Sequence, residues 1–118
     1  MPSPRIEVFW GVAYNYRLTE TFTAIADGEI ATTNRSPKYF AVQVAGTDGT
    51  PTAWDARLEG SIDGVNFTQI MAHTQADGHK LIKWGGSLAF PVTHFRVRVL
   101  GLTLGPATNI VVTALGSL

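Results

Sequence analysis

The stretch WDARLEGSI, residues 54–62, decides the fold class. Trp54, Ala56, Leu58, Gly60 and Ile62 fall on one side of an extended chain, and Asp55, Arg57, Glu59 and Ser61 on the other. Successive side chains of a strand point to opposite faces, so this alternation predicts a strand with one face on a core and one in water. Arg57 and Glu59 share the watered face, where charges pair with neighbouring strands. Asp63-Gly64 follows at once, and Val65 to Ile70 reads as the next strand. An Asp-Gly pair between two such runs signals a hairpin, because glycine takes positive φ without steric cost.

The same pattern recurs on both sides. Phe95 to Leu102 sets Phe95, Val97 and Val99 against His94, Arg96 and Arg98. Tyr39 to Ala45 sets Phe40, Val42 and Val44 against Tyr39, Ala41, Gln43 and Ala45. Asn109 to Leu115 is rich in the branched residues that strands favour. Weaker strand patterns run over Glu7 to Tyr14, Thr19 to Ala26 and Lys80 to Trp84. Gly- and Pro-containing turn clusters separate them, and no window keeps helical spacing. About eight short strands with regular turns predict an all-β fold, a single antiparallel β-sandwich of jelly-roll type spanning residues 1–118. An immunoglobulin-like Greek key shows the same alternation, so strand order stays open at this point. Residues 1–5, MPSPR, carry two prolines that resist ladder pairing, and read as a short extended arm.

At 118 residues the chain can bury a core without staples, and it has no cysteine to make a disulfide or a thiolate metal site. Nine basic residues balance nine acidic ones. A neutral chain gives no electrostatic reason to bind nucleic acid or an acidic membrane, so neither is expected as a partner. Charged residues make up 15% of the chain, against roughly 25% in ordinary domains. So few charges protect poorly against self-association, which fits a surface covered in an assembly. No apolar run approaches the roughly 20 residues of a membrane span. The N-terminus reads as having no secretory leader, so synthesis and assembly in a cytoplasm are expected.

Neither H-E-x-x-H nor G-x-S-x-G occurs, and no catalytic constellation is recognisable, so binding or building is expected rather than catalysis, with no cofactor. His73 and His79 flank the Asp77-Gly78 turn, but two ligands without a third make a poor metal site. The Asp-Gly pairs at Asp27, Asp48, Asp63 and Asp77 lack the spacing of a calcium loop and suit turns. Among the aromatic residues, Trp54 continues a core face. Trp84 stands before Gly85-Gly86 at an expected strand end, where it can be exposed. Phe9 and Trp10 are strand neighbours, so one of them points away from the core. Phe9, Trp10 and Trp84 are therefore the candidate contacts for a partner or a glycan.

The hairpin Trp54, Leu58-Glu59-Gly60-Ser61, Asp63-Gly64, Asn66-Phe67, followed by Phe95-Arg96-Val97-Arg98-Val99, resembles small β-sandwich virion proteins of tailed bacteriophages. The resemblance covers residues 38–115. It is similar as well to discoidin or coagulation-factor C-type jelly rolls and related carbohydrate-binding modules. Asp63-Gly64 would make the tight turn, Asn66 would bond back to its backbone, and Phe67 would cover the core edge. The phage resemblance implies a virion role, capsid decoration on the virion surface first, with a head fibre, a spike base or a tail component as the alternatives. Its implied partners are the major capsid protein or other virion proteins, and copies of itself, a trimer being favoured. The second resemblance implies glycan binding, which would place two exposed aromatic residues on one face or loop rim.

Overall fold

The stretch that decides the fold class forms a strand, Ala53–Ser61, in which Trp54, Ala56 and Leu58 are 3%, 0% and 2% exposed. The structure, a computed structural model, describes residues 5–9, 15–33, 36–87 and 91–117, with the side chains of 5–9, 15 and 86 outside that description. The strands are β1 (Arg5–Phe9), β2 (Asn15–Phe22), β3 (Ala26–Asp27), β4 (Ala31–Thr32), β5 (Tyr39–Thr47), β6 (Ala53–Ser61), β7 (Thr68–Thr74), β8 (Ile82–Ser87), β9 (His94–Thr103) and β10 (Asn109–Ser117). Eight of them hold five residues or more, as the alternation predicts. A single 3₁₀ turn, Gln75–Asp77, joins β7 to β8 among the described residues.

All pairings are antiparallel. One sheet has the order β1-β2-β10-β5-β8, and the other β3-β9-β6-β7, with β4 also on β9. Most connections, including β5 to β6, β7 to β8, β8 to β9 and β9 to β10, cross from one sheet to the other. That winding is the double Greek key of a jelly roll. An immunoglobulin-like sandwich would keep more consecutive strands in one sheet.

The core lies between the sheets. From the first come Phe22, Val42, Val44, Ile110 and Val112, and from the second Ala56, Leu58, Val97 and Val99, all at 2% exposure or less. Each large apolar side chain so buried contributes about 1.5–3 kcal/mol. Glu20 also points inward from β2 and is buried beneath Gly28. The Gly28 N–H donates to the Val97 carbonyl at 2.6 Å, and a Cβ at Gly28 would collide with that carbonyl and with the Glu20 carboxylate. The close approach of the β3 corner to β9 therefore needs glycine.

The structure revises several local expectations. The second hairpin strand begins at Thr68 rather than Val65, and Ile62 and Val65 are exposed at 72% and 77%. Thr19 to Ala26 is divided, because β2 ends at Phe22 and the chain crosses to the other sheet as β3. Lys80 has a φ of 65°, a turn conformation, so β8 starts two residues later. Arg5 pairs with Thr19 in β1, so it belongs to the sheet and not to an arm; residues 1–4 lie outside the described residues. β1 ends at Phe9, and 10–14 likewise lie outside them.

Candidate functional site

The two outer faces of the sandwich differ in chemistry. On the β3-β9-β6-β7 sheet, the outward side chains of β6 and β9 meet as charges. Arg96 Nε donates to Glu59 Oε1 at 2.8 Å, and Arg98 Nε reaches Asp27 Oδ1 at 2.9 Å. Arg96 also lies 3.6 Å from Asp27, and Arg98 3.9 Å from the second Glu59 oxygen. Arg57 and Asp55 pair at 3.4 Å. The Arg96 guanidinium sits 4.1 Å from the centre of the Phe67 ring, a cation–π contact. Two expectations are corrected here. Glu59 and Ser61 belong to the outward face yet are 6% and 3% exposed, because neighbouring side chains cover them. Phe67 packs on Arg96 over the outer face and does not close the core edge.

Among the described side chains on the outer face of the other sheet, Arg17 is the one charged group, with Glu7 of β1 opposite it in the ladder. Pairing across β2, β10, β5 and β8 aligns Arg17, Leu115, Ala41 and Trp84 in one row, and Thr19, Thr113, Gln43 and Ile82 in the next. Trp84 is 70% exposed, Tyr39 61% and Ile82 49%. Between the rows lies an open hollow of about 370 Å³ lined by Arg17, Gln43, Ile82, Trp84, Thr113 and Leu115. A smaller hollow on the other side of Trp84 runs over Ala41 to Tyr39 and Ser117.

The local backbone positions Trp84. The β5–β8 register places Ala41 opposite Trp84 and Phe40 opposite Gly86, leaving Gly85 as a bulge. Gly85 has a φ of 105°, where other residues are strained. Trp84 thus stands within β8 rather than at its end, on the outer side of Ala41. Gln43 is held by its own bond, Nε2 to the Lys80 carbonyl at 2.7 Å. Of the other sequence candidates, Phe9 pairs with Asn15 in β1 with its side chain undescribed, and Trp10 lies outside the described residues. Tyr39 was not singled out by sequence. Its signal was the alternation of Phe40, Val42 and Val44, which turns Tyr39 outward.

The histidines are committed elsewhere. His73 is fully buried; its Nδ1 accepts from Trp54 Nε1 at 3.0 Å, and its Nε2 donates to the Leu81 carbonyl at 2.8 Å. His79 Nε2 accepts from the Gly46 N–H at 2.8 Å, and its ring meets Trp54 edge-on at 6.4 Å. These two rings clamp Trp54 from two sides. Among the described residues no group of three His, Asp or Glu could hold a metal ion.

The Asp-Gly hairpin is a six-residue loop organised by one carboxylate. Asp63 Oδ1 accepts from the Val65 and Asn66 N–H groups, each at 2.8 Å, and from Ser61 Oγ at 2.8 Å. Asn66 Nδ2 donates to Asp63 Oδ2 at 2.9 Å, so it bonds to a side chain and not to turn backbone. These donors, the Asn66 N–H foremost, hold the Asp63 carboxyl far below the usual carboxylate range. The Thr74 N–H, with Lys83 beside it, lowers Asp77 as well. Burial pushes Glu20 the other way, upward, against the lowering effect of the Glu29 N–H bond at 3.1 Å.

No family model matches the sequence, and no curated protein matches it. Among solved structures the chain is similar to the SPBc2 prophage-derived protein YomS, with a TM-score of 0.64 and 12% identity over 95% of this chain and 100% of that one. The two share a fold. Among the described residues no helix is long and apolar enough to cross a membrane.

Proposed function

We propose that this protein is a non-enzymatic structural component of a phage or prophage particle, and that it serves as a capsid decoration protein. The observation that carries the reading is the fold it shares, over nearly the full length of both chains, with a prophage-derived protein. The residues that resemble small phage virion proteins support it: Trp54, Leu58 and Asp63-Gly64 build one hairpin, and Phe95 to Val99 lie beside it in β9. A jelly roll with a rigid core and a carboxylate-locked loop suits a subunit that must keep its shape on a shell.

On this reading the protein binds assembled capsid across subunit joints, and copies meet around local three-fold positions as a trimer. Mass spectrometry of purified particles from the genome that encodes it should find the protein, and added protein should raise the melting temperature of heads that lack it. Its absence from particles would overturn the particle reading. Its presence in tails, with no effect on heads, would overturn decoration.

A further inference from the structure

The ion-paired face of the β3-β9-β6-β7 sheet satisfies its own charges, and Glu20 lies under Gly28. The hollow beside Trp84 differs, because it is open and chemically mixed. We propose that the outer face of the β1-β2-β10-β5-β8 sheet binds a saccharide, with Trp84 and Tyr39 as stacking platforms and Gln43, Thr113 and Arg17 bonding its hydroxyls.

The size of the site narrows the occupant. A hollow of about 370 Å³ is in the range of small-molecule sites, roughly 300–1,000 Å³. Tyr39, Ile82 and Trp84, at their observed exposures, present together roughly 300–400 Å² of apolar surface. Docking two copies through these three side chains would bury about 600–800 Å² of apolar surface, short of the roughly 1,000 Å² of a stable protein interface. A second copy is therefore a poor occupant for this patch alone.

Chemistry narrows it further. A pyranose ring offers a flat C–H face and a rim of hydroxyls that both donate and accept. The C–H face matches the electron-rich face of an indole or phenol ring. The rim matches an amide, a hydroxyl and a guanidinium, which between them supply donors and acceptors. Those are the groups around Trp84. A nucleic-acid strand would also stack on Trp84, but its phosphates need a basic groove, and Arg17 is the one cation among the described residues lining the hollow. An amide, a hydroxyl and a single guanidinium among the described residues lining the hollow suit a neutral or uronic-acid sugar.

The inference does not rest on membership of a particle, and its test uses the purified full chain. Tryptophan fluorescence is followed while a panel of soluble neutral and uronic-acid oligosaccharides is added at millimolar concentration. At least one saccharide should give a saturable change. Trp84→Ala should weaken that binding about tenfold or more, and Tyr39→Ala several-fold, followed by calorimetry, while Ile62→Ala on the distant loop leaves it unchanged. Both aromatic side chains are exposed, so circular dichroism should show the variants folded. No binding by any saccharide of the panel would overturn the inference, as would binding that survives both substitutions. A single-stranded oligonucleotide bound at Trp84 in place of sugar would overturn it too, as would a wild-type oligomer that Trp84→Ala dissociates.

Discussion

The outer faces of the two sheets are built on the same alternation and end in opposite states. On one, three of the nine basic and three of the nine acidic residues, Arg57, Arg96, Arg98, Asp27, Asp55 and Glu59, pair with each other. On the other, Trp84, Tyr39 and Ile82 stand in solvent around a hollow. A strand's polar side is thus not a uniform surface. Where charges of neighbouring strands pair across the ladder the face closes on itself, and where aromatic and apolar side chains stand outward instead the face stays available. The low charge of the chain is concentrated in its effect, because so much of it is used on one side.

The layer that both faces share should outweigh either. His73→Ala removes the acceptor of the buried Trp54 N–H and the donor to Leu81, and opens a cavity, so a loss of about 3–5 kcal/mol is expected in urea unfolding. A loss below about 1 kcal/mol would mean that the clamp on Trp54 is dispensable. Next comes the closed face. Glu59→Ala leaves Arg96, itself largely covered, with the longer Asp27 contact and the Phe67 ring, at an expected cost of about 2 kcal/mol. A change near zero would show that the face is held by packing and not by its charges.

A smaller effect separates the buried carboxylate from the paired ones. Burial raises the Glu20 pKa above its unfolded value, so the proton is held more tightly in the folded state. That contribution is fully present below about pH 4.5 and is lost as pH rises through the folded pKa. Glu20→Gln should therefore stabilise the protein at neutral pH by less than about 1 kcal/mol, with the gain shrinking on acidification toward pH 4.5. Asp63 has the opposite sign. Its depressed pKa stabilises the loop above the usual aspartate range, and this is lost only in strong acid. A pH titration of both unfolding midpoints checks the two signs.

How far these features could be read in advance depended on whether their cause is local. Trp54, Ala56 and Leu58 announce their face by spacing alone, and so do Val97 and Val99. Glu59 reads as solvated by the same rule, and its burial depends on Arg96, which lies 37 residues away. Asp63-Gly64 reads as a two-residue turn because the pair is common there. The longer loop arises because the Asp63 side chain gathers donors as far as Asn66, which spacing does not reveal. Trp84 next to two glycines was legible as exposed. Its alignment with Tyr39 was not, because the β5–β8 register and the Gly85 bulge set it.

The asymmetry between the faces is tested most directly by one paired measurement: thermal melting and saccharide titration of Trp84→Ala and Glu59→Ala side by side. The account predicts a crossed result. Trp84→Ala keeps its stability within about 0.5 kcal/mol and loses saccharide binding, while Glu59→Ala melts earlier and still binds below its melting temperature. If Trp84→Ala instead melts early, or folded Glu59→Ala fails to bind, the division of the molecule into a closed face and an open one is wrong.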